Sequence, residues 1–254
     1  MNYKVIWILW KRDLLHYWRN RIRAVVGLTM PMLWLFVFGG GLSRSFNSDI
    51  EYTQFIFPGV IAMSLIFNAI FSALDTVKDR EFGFLKEILV APVPRWTIVI
   101  GRSLGAASTS AIQGVLILAF APLVGVHLTV ATVVALLPMI WLVALSLSAI
   151  GILLASVTDN QEGFQFIVNF VNMPMFFLSG ALFPLTELPR WMEVLVRLNP
   201  ASYAVDAMRK IVLGGYDSFT LFGYHVTLWF DILLLLVFSL VLIAIAAKQF
   251  NRPK

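Results

Sequence analysis

Residues 53–96 read "TQFIFPGVIAMSLIFNAIFSALDTVKDREFGFLKEILVAPVPRW". As far as Val77 the stretch is apolar, with Asp75 its one charge, and it exceeds the roughly 20 residues that carry a helix across a bilayer. From Lys78 onward the character reverses: charge becomes dense, and Pro92 and Pro94 close the segment before a second apolar run begins at Thr97. A membrane span followed by a short charged interruption is therefore the unit from which the rest of the chain is read.

Working outward, further apolar stretches lie at 24–42, 97–122, 130–157, 164–183 and 226–247, which with 53–77 makes six. The whole chain of 254 residues is 59% hydrophobic and 13% charged, more apolar surface than a single soluble core needs. Barrel strands would alternate over segments of about ten residues, and backbone in lipid must satisfy itself, so the spans are helices. The expected fold class is all-α, a polytopic membrane protein with six transmembrane helices. The absence of cysteine removes disulfides, thiol catalysis and thiolate metal sites.

Lys and Arg orient the spans. Placing the N-terminus, the 78–102 loop, the 158–163 turn and the C-terminal tail on one side collects 14 of 19 basic residues there, so both termini are expected in the cytoplasm. Arg44, Arg190, Arg197, Arg209 and Lys210 fall on the other side. The net charge of +5 follows from this bias and implies no nucleic-acid partner.

The first 23 residues alternate charge with aromatics and do not form a cleavable signal. At helical spacing Tyr3, Trp7, Trp10, Leu14, Tyr17 and Trp18 share one arc, and Lys4, Lys11, Arg12, His16, Arg19 and Arg23 the adjoining one. Rings at headgroup depth beside a basic strip describe a helix lying in the cytoplasmic interface, with membrane lipid as its partner. Gly101, Gly105, Ala106, Ser108 and Ser110 let another helix approach the third span closely. Asn68, Gln113, Asn169 and Asn172 are costly at membrane depth and are candidates for a substrate path, whereas Asp75, Arg102 and Asp231 sit near span ends where water is reachable.

Between the last two spans, "SGALFPLTELPRWMEVLVRLNPASYAVDAMRKIVLGG" is too polar to cross, and its apolar residues between Pro189 and Pro200 suit a short helix dipping into the outer leaflet. No phosphate-binding loop of the G-x-x-x-x-G-K-[ST] kind occurs, and His16, His127 and His225 lie too far apart for a metal cluster or triad. An enzyme is therefore disfavoured; the alternative kept open is a membrane-embedded lipid-processing transferase or hydrolase using Asp75, Arg102 or Asp231.

In the charged interruption, Phe82, Leu85 and Leu89 recur at helical spacing from Asp79 to Val90, with Phe84 and Ile88 beside them and charges on the other faces. A three-turn amphipathic helix of mixed charge, held between two spans, is shaped for a groove on a soluble partner.

"REFGFLKEILVAPVPRWTIVIGR" resembles the cytoplasmic loop of transmembrane subunits of type 2 ABC exporters, on Glu81, Gly83, Leu85, Glu87, Leu89 and Pro92, with Gly101 entering the next span. "FFLSGALFPLTELPRWMEVLVRLNPASYAVDAMRKIVLGG" is similar to that family's outer re-entrant region. The resemblance implies one transmembrane domain over 1–254: an interfacial helix at 1–23, spans one to five at 24–183, a re-entrant region at 184–225 and a last span and tail at 226–254. It implies that Glu81, Phe82, Gly83, Leu85, Lys86, Glu87, Leu89 and Pro92 form a coupling helix near 80–91, and that Trp7, Trp10, Lys11, Arg12, Trp18 and Arg19 mark the interfacial helix. Gly180, Pro184, Pro189, Trp191, Asn199 and Pro200 would mark the re-entrant region. Two separate ATPase subunits would carry ATP and Mg, with no cofactor on this chain. A second copy or close homologue would complete the transporter. The expected location is a prokaryotic inner membrane, and the expected cargo is a drug, lipid or lipid-linked glycan.

Overall fold

The computed structural model describes residues 3–42, 52–83, 94–185, 188–214, 220–221 and 224–250. Its helices are α1 (Tyr3–Arg19), α2 (Arg21–Leu42), α3 (Tyr52–Ser72), α4 (Leu74–Glu81), α5 (Arg95–Leu118), α6 (Val130–Val157), α7 (Gln161–Phe177), α8 (Arg190–Leu198), α9 (Pro200–Leu213) and α10 (Leu228–Phe250). A 3₁₀ turn spans Ala121–Val124, and a minimal ribbon pairs β1 (Thr220–Leu221) with β2 (Tyr224–His225). Apart from this ribbon of two-residue strands the regular structure of the described residues is helical, in line with the expected all-α class.

Helix ends follow local chemistry. The Asn160 side chain accepts from Gly163 N at 2.8 Å to cap α7, and Asn199 Oδ1 accepts from Ala201 N at 3.0 Å to cap α9, where Pro200 takes the first-turn position that needs no donor. Asn199 also donates to Met175 O at 2.8 Å, so this cap ties α9 to α7.

Among the described residues, three helices are long and apolar enough to cross a membrane: α3 with α4, taken as one run from Tyr52 to Glu81, then α6 and α10. The bent pair α1–α2 adds a fourth if counted as one span. Residues 97–122 and 164–183 are expected to span, but α5 carries Arg102, Gln113 and several Ser and Thr, and α7 has only 17 residues and stops at Phe177. Gly180, at φ +74°, turns the chain just beyond it.

The most apolar stretch of α3 is 78% buried against 28% for α10, which makes α3 the centre of the bundle and α10 a peripheral helix. Around α3 pack α2, α5, α6 and α9. Small residues set the spacing, as in lipid where close backbone approach drives helix association. A Cβ added at Gly151 of α6 would lie 2.8 Å from Ile70 O, and one at Gly59 of α3 would lie 2.7 Å from Ala181 Cα. The irregular segment after α7 is thereby pressed onto α3, where Tyr52 Oη donates to Leu182 O at 3.1 Å and Arg209 Nη2 donates to Gly180 O at 2.8 Å. Non-helical backbone inside a bundle needs such partners.

Candidate functional site

α1 has three sides. One docks along α5: Leu9 and Asp13 fit over Gly101 and Gly105, where added Cβ atoms would fall 3.1 Å and 2.8 Å from the Cβ atoms of Leu9 and Asp13. Trp10 Nε1 donates to Ser108 Oγ at 3.0 Å, and Tyr17 Oη donates to Gln113 Oε1 at 2.9 Å. The small residues of α5 thus receive the N-terminal helix. Of the aromatic arc expected to face lipid, Trp10 and Tyr17 turn inward, while Tyr3, Trp7 and Trp18 remain exposed.

At the centre of that contact lies an ion-pair network. Arg102 of α5, 2% exposed, donates to Asp13 Oδ1 at 2.9 Å and to Asp79 of α4. Arg12 Nη2 meets the same Asp79 Oδ2 at 2.5 Å, His16 Nδ1 lies 3.6 Å from Asp75, and Lys78 Nζ lies 3.9 Å from it. Burial pushes the Asp13 carboxyl up from its ordinary value, an effect that neighbouring Arg102 and Arg12 oppose. Three helices, α1, α4 and α5, meet through these groups.

The network stands at the entrance to the charged segment. Residues 84–93 lie outside the described residues, so the expected positions of Leu85, Lys86, Glu87, Leu89 and Pro92 do too. The expected start of the amphipathic helix at Asp79 is corrected: Asp79, Arg80 and Glu81 complete α4, and Gly83, at φ +82°, turns the chain away. Asp79 and Arg80 reach into the bundle and the exposed Glu81 bonds to its surface, which holds all three to the preceding helix. Arg80 donates to Ser156 O at 3.2 Å and Thr158 O at 2.7 Å, where α6 ends, and Glu81 Oε2 accepts from Gln161 N at 3.2 Å. Phe82, by contrast, is exposed.

Both flanks of the segment converge on the end of α10. The Arg80 guanidinium lies 5.5 Å from the Phe250 ring centroid, and Arg95 Nη1 donates to Phe250 O at 3.1 Å. Cations at a helix C-terminus satisfy its orphan carbonyls and oppose its dipole.

Away from this junction, an open cleft of about 610 Å³ runs between α2, α3 and α7. Met30, Trp34, Met63, Phe67, Phe71 and Phe176 dominate its lining, with Ser64 and Asn68 as its polar side chains. Of the four candidate path residues only Asn68 borders the cleft, and its Nδ2 donates to Ser64 O at 2.9 Å. Gln113 is committed to Tyr17 and to Ala24 O, the latter at 3.1 Å; Asn169 is exposed on α7; Asn172 is fully buried and its amide has no partner among the described residues.

The stretch from α9 to α10 carries a second buried network. Lys210 Nζ donates to Asp206 and, at 2.8 Å, to Asp231 Oδ2 of α10. The Arg209 guanidinium stacks 3.8 Å from the Phe55 ring centroid. Two of the five basic residues assigned to the outer side are therefore internal, and Arg102 and Asp231, expected within reach of water, are 2% and 0% exposed. Asp75, Arg102 and Asp231 fall in two clusters that share no described partner, so they do not assemble one catalytic centre. Gly180 and Pro184 lie on the packed segment after α7, Pro189 begins α8, Asn199 and Pro200 begin α9, and Trp191 projects from α8 with 66% exposure. Sequence reasoning missed Asp13 as the internal anchor; its signal was being the only acid among the first 23 residues.

The comparisons with known proteins agree with this architecture. A family model described as ABC-2 type transporter matches residues 4–213. Among curated relatives, the putative transport permease ycf38 of Cyanophora paradoxa is 27% identical, covering 93% of this chain and 85% of that protein. Nodulation protein J of Rhizobium leguminosarum bv. trifolii is 28% identical over 82% and 81% of the two chains, and the inner membrane transport permease YadH of Escherichia coli (strain K12) is 30% identical over 82% and 83%. With its family match running from α1 through α9, the chain belongs to the ABC-2 type transporters, as a membrane permease.

Proposed function

We propose that this permease is the membrane-spanning half of an ATP-driven exporter in a prokaryotic inner membrane. It crosses the bilayer six times with both termini in the cytoplasm and works as two copies with two ATPase subunits, which hold ATP and Mg. The observation that carries this reading is the anchoring of both flanks of residues 84–93: Arg80 and Arg95 meet at Phe250, and Asp79 is held by Arg12 and Arg102. A segment that transmits force from a soluble motor needs rigid attachment at both ends; a surface loop does not. Phe82, Leu85 and Leu89 fill the motor's groove, and Glu81, Lys86 and Glu87 border it. The groove then needs only a difference in affinity between two states of the bundle to drive the transition.

The cargo is amphipathic or lipophilic. A cleft walled by Met, Trp and Phe with one polar corner at Ser64 and Asn68 suits an apolar body carrying a few hydrogen-bonding groups. The segment from Gly180 to Pro200 acts as the re-entrant outer closure, with α8 seated in the outer leaflet. The test is copurification of the chain with an ATPase followed by measurement of cargo-stimulated ATP turnover. Leu85→Asp and Glu87→Arg are expected to abolish assembly or stimulation; intact assembly and stimulation in both variants would overturn the docking assignment.

A further inference from the structure

The third side of α1 is left uncovered by the described residues of the bundle. Tyr3, Trp7, Ile8, Leu15 and Trp18 are exposed there at 70%, 58%, 61%, 45% and 73%. Lys4, Lys11 and Arg19 are exposed among them, and none of the three makes an ion pair with a described residue. The only acid of α1, Asp13, points the opposite way, into Arg102. This outward face is therefore amphipathic and of one sign.

Its orientation selects the partner. α1 meets the axis of Ala24–Gly39 at 72°, so if α2 crosses the membrane α1 lies close to the membrane plane. The exposed apolar row continues through Ile22, Val25 and Val26 into α2, joining the face of α1 to lipid-contacting surface. A soluble acidic protein would match the lysines but leave three indole and phenol rings and two aliphatic side chains in water. Anionic phospholipid satisfies both, phosphates pairing with the cations and rings resting at headgroup depth.

We infer that α1 is an anionic-lipid-dependent regulatory arm: phosphatidylglycerol-like headgroups bind Lys4, Lys11 and Arg19, and this binding sets the coupling of the transporter. The inference rests on the proposed pairing with an ATPase, since coupling is its readout. The route is short. Arg12, one turn from the exposed face, meets Asp79, and Asp79 lies four residues before Gly83, where the chain turns into the charged segment. Headgroups that hold α1 in the membrane plane hold Arg12 and Asp13 on Asp79 and Arg102. Loss of those headgroups frees α1 and loosens the anchor of the coupling segment.

The experiment uses the full permease–ATPase complex in nanodiscs of phosphatidylcholine alone or of phosphatidylcholine with phosphatidylglycerol. The ratio of ATP turnover in the two lipids is expected to exceed unity severalfold for the wild type. Lys4→Gln/Lys11→Gln/Arg19→Gln should bring the ratio near one and raise the phosphatidylglycerol content needed for half-maximal stimulation by about fivefold or more, because each interfacial cation contributes about a factor of five to attraction for an anionic surface. Lys4→Arg/Lys11→Arg/Arg19→Lys should keep the wild-type ratio. A triple Gln variant that retains full stimulation overturns the inference. So does one that loses its ATPase in detergent, because the face would then be a protein dock. Failure of the wild-type complex to assemble at all would instead refute the pairing with an ATPase, and reads separately by gel filtration.

Discussion

Arg102 of α5, 2% exposed, donates to Asp13 of α1 at 2.9 Å and reaches Asp79 of α4 with its other terminal nitrogen. One buried guanidinium therefore fastens the N-terminal helix and the helix before the charged segment to the same span. Truncating this guanidinium leaves two largely buried carboxylates with only Arg12 between them, and breaking such a buried pair costs about 3–5 kcal/mol. Arg102→Ala is expected to destabilise the purified permease by that order, measured by thermal unfolding in detergent. Adding Asp13→Ala and Asp79→Ala should recover part of the loss, because no buried charge then stands alone.

The pH dependence of Asp13 has the opposite sign to that of an ordinary salt-bridged acid. Burial holds its native affinity for the proton above that of the unfolded chain, against the opposing Arg102 and Arg12. In the window from the ordinary value of 3.8 up to the raised native one, the folded state binds the extra proton, so this contribution to stability is full below the window and declines as pH rises through it. Comparing unfolding midpoints of wild type and Asp13→Asn across that range should show the wild type losing ground as pH increases. A constant difference would disprove the shift.

Gly59 carries the packing of the irregular segment onto α3. A methyl group there would meet the backbone of Ala181, which cannot rotate aside, whereas one at Gly39 meets only the Thr53 side chain at 3.3 Å. Gly59→Ala is expected to cost about 1–3 kcal/mol and to expose the 178–185 segment to protease. Gly39→Ala should stay within about 0.5 kcal/mol of wild type.

Arg80 and Arg95 hold the two ends of the charged segment against Phe250. Arg80→Gln with Arg95→Gln should leave the ATPase bound, since neither residue faces the proposed groove, yet lower cargo-stimulated turnover by about tenfold. Binding and stimulation falling together would mean that the two arginines belong to the dock itself.

Met173, at the mouth of the cleft on α7, is 53% exposed. Met173→Trp should narrow the entrance and reduce stimulation by bulky amphipathic cargo severalfold while leaving unstimulated ATP turnover in place. Equal stimulation by every cargo size would place the path elsewhere.

Much of this fold is legible in the sequence. Long unbroken hydrophobic runs set the helices, because a helix satisfies its own backbone in lipid within one segment, and α2, α3, α6 and α10 begin and end within a few residues of the stretches 24–42, 53–77, 130–157 and 226–247. The amphipathic pattern of α1 and the small-residue seam of α5 were equally local signals, readable from spacing alone. What spacing did not reveal was their relation: that Gly101 and Gly105 accept Leu9 and Asp13 of α1. The face of a helix that is buried depends on what lies opposite, and Trp10 and Trp7, three positions apart on one predicted arc, went different ways for that reason.

The sequence by itself determined a helical membrane protein, since composition and hydrophobic period act through local backbone and solvation physics, and its motifs carried the resemblance to ABC-2 permeases. Only the tertiary structure decided which charges are internal. Arg102 and Asp231 read as ordinary end-of-span residues and Arg209 and Lys210 as residues of a polar outer segment, yet each is buried against a partner distant in sequence, Arg102 against Asp13, Arg209 against Gly180 and Lys210 against Asp231. A charge can leave water only when its counter-group is brought to it. That meeting is a property of how the helices pack, and no local pattern encodes it.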